Sequence, residues 1–193
     1  MLREINIYSE REDFTKNYNL SNLFAEFACQ AMFSDFYEIC QLFEFATTYY
    51  KNKGIKQWDK GYDLEKISHN ILKGEAFVIR NESGVLLCTF SVAKFLPDYY
   101  PHSLTTDDNI WLIKSFCTNL RQNKLIGKKV ISQIIKTAIN HQISQIYLDC
   151  VMDNPTLESY YQRYGFTRIA IVQHPIYNQN MAIMVLNLLV ATF

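Results

Sequence analysis

The stretch from Ile110 to Ile139 narrows the choice of folds more than any other part of the chain. It opens with IWLIKSFC, apolar at nearly every position and too short to cross a bilayer. That is the pattern of a strand covered on both faces. It ends with KKVISQIIKTAI, in which Val130, Ile131, Ile134, Ile135, Ala138 and Ile139 make one continuous stripe along a helix. The polar loop between them, TNLRQNKLIG, closes at Gly127. A strand, a loop and a helix opening at a glycine form a device for holding anions. First-turn N–H groups have no partner inside the helix, and the dipole adds about half a positive charge there. A glycine at that point also serves plain packing, and the stretch alone leaves both readings open.

The rest of the chain alternates in the same manner. Leu23 to Cys29 (LFAEFAC) reads as a strand. Ser34 or Asp35 then caps a helix that turns Phe36, Ile39, Cys40, Leu42, Phe43 and Phe45 inward and ends at Gly54. Lys56 to Tyr62 is a loop, and Asp63 caps a short helix from Leu64 to Leu72. Glu75 to Arg80 and Val85 to Ala93 pair as a hairpin around Asn81-Glu82-Ser83-Gly84. Leu96 to Asn109 is an irregular connection. Gln145 to Cys150 is another buried strand, and Pro155 after Asn154 opens a helix with Leu157, Tyr160, Tyr161 and Tyr164 on one side. Phe166 to Val172 and Asn180 to Leu189 read as closing strands, joined by a loop that puts His174 at the surface. Residues 1–20 read as an extension, with a short strand at Ile5 to Tyr8 and a helical turn at Arg11 to Lys16. The expectation is one α/β domain over residues 21–193, built on a mixed sheet.

Several function classes drop out early. Lysine plus arginine equals aspartate plus glutamate, 19 each, and no basic run stands out, so no nucleic acid is expected as partner. The longest mostly apolar run, Met181 to Phe193, is too short for a membrane span. The opening MLREINIYSERED is too charged for a signal peptide, which points to a cytoplasmic protein. The cysteines at 29, 40, 88, 117 and 150 are scattered without a C-x-x-C, so neither a metal nor a disulfide is expected.

Two sequence frames narrow the reading further. Gln122-Asn123-Lys124-Leu125-Ile126-Gly127 resembles the Q/R-x-x-G-x-G/A loop of the GNAT superfamily of N-acyltransferases, with Leu125 where the first glycine is usual. Asn154-Pro-Thr-Leu157-Glu-Ser-Tyr160-Tyr161-Gln-Arg-Tyr164-Gly165-Phe166 resembles the family's N-x-x-A/L-x-x-L/Y-Y-x-x-x-G-F frame at every marked position. Ala31 and Asp35 resemble its A-x-x-x-D opening step, and the QW..GY loop is similar to that of small bacterial members.

The resemblance implies a mostly antiparallel mixed sheet with flanking helices and a V-shaped cofactor cleft. It implies transfer of an acyl group, expected to be acetyl, from acyl-CoA to a primary amine by direct attack in a ternary complex. No metal takes part in that chemistry. The pyrophosphate would lie on the N–H groups of Asn123 to Lys128, with Lys124, Lys128 and Lys129 nearby. The pantetheine arm would pair with backbone at Phe116, Cys117 and Thr118, with Asn154 close to it. Tyr161 would protonate the departing thiolate, with Tyr160 as fallback. Asp149 is a candidate base or a structural anchor; Glu75, His102, Asp107 and Asp108 are weaker candidates. Trp58, Tyr62, Tyr99 and Tyr100 suggest an aromatic-walled acceptor pocket, or else plugs in the core. The acceptor would be a small-molecule or peptide amine, and a homodimer stays open. Leu125 keeps a second reading alive, since a branched side chain stands where backbone must approach phosphate. That reading is a GNAT-fold protein binding acyl-CoA or a protein partner without turnover.

Overall fold

A computed structural model describes residues 20, 22–58, 62–104, 109–122 and 125–188. The readings for residues 1–19, and those for Asn123, Lys124, Asp107 and Asp108, therefore fall outside the described residues. In chain order the elements are β1 (Cys29–Gln30), α1 (Phe36–Lys51), α2 (Leu64–Leu72), β2 (Ala76–Arg80), β3 (Leu86–Ala93), β4 (Ile110–Thr118), α3 (Ile126–Asn140), β5 (Gln145–Val151), α4 (Pro155–Gln162), β6 (Thr167–Gln173) and β7 (Asn180–Asn187). The strands form one seven-stranded sheet in the order β1-β2-β3-β4-β5-β7-β6. Among the described residues only β4 and β5 run parallel, joined by the α3 crossover, and every other pair is antiparallel. This is the mixed, mostly antiparallel sheet with flanking helices that the sequence implied.

The period-two alternation of strands sorts their side chains onto two covered faces. Phe77, Phe90, Trp111, Ile113, Ile146 and Leu148 point to the face covered by α3 and α4, against Val130, Ile131 and Ile134. Ala76, Val78 and Cys117 point the other way, onto Ile39, Leu42 and Phe43 of α1 and Ile67 and Ile71 of α2. Leu112 and Tyr147 share that second face further along, under Tyr100. Because both faces are covered, Trp111, Leu112 and Ile113 are buried in succession, which explains the unbroken apolar run of β4.

One expected strand does not form. Residues 22–27 are turns, with Phe27 N–H donating to Phe24 O (2.9 Å) and Ala28 N–H to the same oxygen (2.8 Å). Only Cys29–Gln30 pairs with β2. The buried residues of this segment, Leu20, Phe24 and Ala28, recur every four positions, the spacing of a helical face. Phe24 meets the rings of Phe77, Phe90 and Trp111 edge-on at 4.8, 5.3 and 5.5 Å. A single ring filling that gap decides the backbone. No helix among the described residues is long and apolar enough to cross a membrane.

Candidate active site

The site begins where the sheet comes apart. β4 and β5 pair only from Ile110↔Gln145 to Ile113↔Leu148. Beyond that, β4 stays with β3 and β5 stays with β7. The cause is a bulge in β4: Ser91 faces Lys114 but Thr89 faces Cys117, and Ser115 between them has φ 54°. The edge of β4 from Lys114 to Thr118 is thus left without a strand partner among the described residues. A cavity of about 830 Å³ opens there, reached by β4, β5, α2, the first turn of α3, α4 and the β6–β7 loop.

At one end stand Phe116, Cys117, Thr118, Gly127, Lys128, Asn154, Tyr160 and Tyr161, all lining this cavity as the motifs implied. Gly127 is the close-approach point: a Cβ there would lie 3.0 Å from the Tyr160 hydroxyl and 3.6 Å from Thr118 Cγ2. Among the described residues no side chain caps the N-terminus of α3, where first-turn N–H groups have no partner inside the helix. Leu125 has φ −98° and is 56% exposed. An L-residue is comfortable at that φ, so the branched side chain lies outside the turn without strain. Gln122 is exposed at the loop tip and is not among the cavity-lining residues. Ile126 is buried in the core, which leaves its backbone alone to serve the site. The Cys117 thiol is buried against Leu42 O at 3.9 Å, and burial pushes its pKa well up, so it is no nucleophile.

Asn154 is 2% exposed and heavily engaged. Its Oδ1 accepts from Thr156 N–H (3.3 Å) and Thr156 O–H (2.9 Å), capping α4, and its Nδ2 donates to Gln57 Oε1 at 2.6 Å. Tyr161 is buried on the cavity wall. Burial raises its pKa well above the usual phenol value, with Cys150 and Tyr160 adding to the effect. The buried Tyr160 hydroxyl lies beside Gly127, 3.0 Å from where a Cβ would stand, and burial, with Tyr164 beside it, raises its pKa.

At the other end, the aromatic residues divide. Trp58, Tyr62 and Tyr99 line the cavity, whereas Tyr100 is buried behind it. Tyr62 also belongs to the core, stacked on Phe43 at 3.8 Å, with its hydroxyl on Ser115 Oγ. Asn70 donates to the same Ser115 oxygen at 3.1 Å. The Tyr99 and Tyr100 hydroxyls both donate to Asp149 Oδ2, at 2.5 and 3.2 Å. Asp149 therefore anchors a tyrosine pair.

His174 was expected at the surface and is instead 6% exposed, between the rings of Tyr99 (4.8 Å) and Tyr177 (4.5 Å). Burial, with Lys66 nearby, holds its pKa below the usual histidine value. Glu75 is paired to Lys114 at 2.7 Å with both side chains largely buried, and His102 is exposed outside the cavity. Sequence reasoning passed over Gln57, Asn70, Lys114, Ser115 and Tyr177. Only Gln57, within the QW..GY loop, carried any signal.

The comparison with known proteins settles the family. The acetyltransferase (GNAT) family model matches residues 36–166, more than half of the chain. The chain belongs to the GNAT family. It is an acyltransferase of the N-acetyltransferase type, and GNAT enzymes draw on acetyl-CoA as acyl donor. A curated relative is an uncharacterized N-acetyltransferase of Bacillus subtilis, YesJ, 27% identical over 148 residues that cover 72% of this chain and 81% of that protein. Among solved structures, a GNAT acetyltransferase from Listeria monocytogenes superposes with a TM-score of 0.67 at 22% identity, covering 83% of this chain and 94% of its own. The ribosomal-protein-S18-alanine N-acetyltransferase of Escherichia coli superposes with a TM-score of 0.61 at 11% identity, covering 86% and 94%. The GNAT fold is common to all of them.

Proposed function

We propose that the protein transfers an acetyl group from acetyl-CoA to a primary amine, with both substrates held together in the opened sheet. The observation that carries this is the unpaired β4 edge from Lys114 to Thr118 running toward the uncapped first turn of α3, with Tyr161 on the same cavity wall. An extended pantetheine arm pairs with such an edge as another strand would. Backbone N–H groups at Ile126, Gly127 and Lys128 take the pyrophosphate, and the missing side chain at Gly127 lets the turn pack against Tyr160, Thr118 and Phe116.

Tyr161 is the acid in this reading. Its raised pKa keeps it protonated at any working pH. It stabilises the departing sulfur by donating a hydrogen bond as charge develops, an interaction stronger in the transition state than before it. The second reading, a fold without turnover, rests on Leu125, and the negative φ and exposed side chain there speak against an obstructed turn.

The test is a calorimetric titration of acetyl-CoA into wild type and Gly127→Val. A valine Cβ meets the Tyr160 hydroxyl at 3.0 Å, so the first turn of α3 must shift and its N–H groups move off the phosphate position. Affinity should fall by about tenfold or more, on the order of 1.4 kcal/mol. Equal binding by the two proteins would remove the loop from the cofactor site.

A further inference from the structure

The acceptor end carries an inference that rests on the acetyl-transfer reading above and names the class of its acceptor. We propose that the acceptor amine also bears a carboxylate, which lodges between the Lys66 ammonium and the Nε2–H of His174. The substrate is then a small amino acid, not a plain amine.

The first observation is how His174 is held. The buried ring lines the cavity between the rings of Tyr99 and Tyr177. The loop between β6 and β7 is tied around it. His174 N–H donates to Gln179 O (2.8 Å), and Asn178 N–H donates to His174 O (3.0 Å) with Asn178 at φ 53°. Nδ1 accepts from the N–H groups of Ile176 (3.2 Å) and Tyr177 (3.4 Å). A backbone N–H can only donate, so Nδ1 is the unprotonated nitrogen and the neutral ring carries its proton on Nε2. Nδ1 is turned to its own loop, which points Nε2–H away from that loop as a donor.

The second observation is charge. Lys66 lines the same cavity from α2, half-buried, with His69 one turn further along the helix at the rim. Burial does most to hold the His174 pKa below its usual value; Lys66 adds to that, and Asp149 opposes it less strongly. The ring therefore stands where a cation outweighs a carboxylate. A positive charge and an N–H donor bearing on one space disfavour each other until an anion enters between them.

The third is what the other charged groups at this end already do. Asp63 Oδ1 accepts from Glu65 N–H (2.9 Å) and Lys66 N–H (3.4 Å), and Asp149 holds the Tyr99 and Tyr100 hydroxyls. Lys114 is committed to Glu75 at 2.7 Å. Asp98 lines the cavity from the loop before β4 but is exposed. Trp58, Tyr62, Tyr99 and Tyr177 wall the space between. Such a wall suits the apolar body that joins an amine to an acid. An acid that reaches the buried His174 must enter the cavity itself, which fits a small molecule.

The test uses three pairs of probes: 4-aminobutyrate with 4-aminobutanol, 6-aminohexanoate with 6-aminohexanol, and L-phenylalanine with L-phenylalaninol. Members of a pair share the amine and differ in the carboxylate, and the pairs vary its distance from nitrogen. Turnover with acetyl-CoA is followed by thiol release in wild type, Lys66→Gln, His174→Asn and His174→Gln, alongside calorimetric binding of acetyl-CoA. Wild type should prefer the acid over its alcohol in at least one pair by about tenfold or more in kcat/KM, with the difference in KM. Lys66→Gln should cut that preference by about tenfold. His174→Asn should do the same, because its Oδ1 still accepts the turn N–H groups but no donor reaches the Nε2 position. His174→Gln carries an amide N–H to that position and should keep most of the preference. If His174 only holds the loop, the order reverses: asparagine keeps the preference and glutamine loses it, which would overturn the proposal. No preference for the acid in any pair would overturn it too, as would a preference untouched by Lys66→Gln. So would a wild type that binds acetyl-CoA but turns over none of the six probes. A wild type that does not bind acetyl-CoA would instead bring down the acetyl-transfer reading on which this one rests.

Discussion

Asn154→Ala should destabilise the protein by about 2–4 kcal/mol, the sum of two separate losses. Oδ1 accepts from Thr156 N–H, the cap that opens α4 after Pro155. Losing such a cap typically costs about 1 kcal/mol. Nδ2 donates to Gln57 Oε1 at 2.6 Å, and Gln57 is only 7% exposed. Truncation strands that oxygen without water or partner, which costs roughly a further 1–3 kcal/mol. In a domain of this size the total corresponds to a melting temperature lower by about 4–15 °C. Asn154→Asp separates the two terms. The carboxylate still caps, and the helix dipole favours it there. Gln57 needs only to turn its amide end for end to donate to it. Most of the loss should therefore be recovered. Scanning calorimetry on the three proteins, with acetyl-CoA titrations alongside, gives the answer. A melting temperature unchanged in Asn154→Ala would refute the reasoning, because a buried hydrogen-bonded pair cannot be broken without cost. An aspartate variant as unstable as the alanine variant would refute the role assigned to Gln57.

Other outcomes follow from the same structure. Tyr161→Phe should lower kcat toward the low end of the roughly 10²–10⁴-fold range for a lost general acid, with the acetyl-CoA dissociation constant and melting temperature nearly unchanged. A large drop in melting temperature would instead mark the hydroxyl as a structural bond. Leu125→Gly should change acetyl-CoA affinity by less than about threefold by calorimetry, since Leu125 already holds φ −98° with its side chain exposed. Lys114→Met leaves Glu75 charged, buried and alone, and should destabilise by roughly 3–5 kcal/mol in urea unfolding. The double variant Glu75→Leu with Lys114→Met should recover most of that loss, and failure to do so would point to a further partner for the pair.

The sequence by itself determined the parts of this protein whose information is local. β4 was legible because a strand covered on both faces must be apolar at every position. α3 and α4 were legible because a helix buries one stripe and needs Gly127 or Asn154-Pro155 at its start. The two motif frames identified the family because they fix backbone approach and helix ends, which depend on neighbouring residues. Leu23 to Cys29 was misread because its composition suits a strand. Tertiary packing of Phe24 against Phe77, Phe90 and Trp111 made it a series of turns instead. The acceptor end was the least legible. Asp149 and Tyr99, or Asn154 and Gln57, lie 50 and 97 residues apart, and no pattern along the chain links them. His174 reads as a surface loop residue until the Tyr99 and Tyr177 rings enclose it. The structure alone decided that the hydroxyls of Tyr99 and Tyr100 meet on Asp149. That meeting depends on hydrogen bonds between elements far apart in the chain, which only tertiary packing brings together.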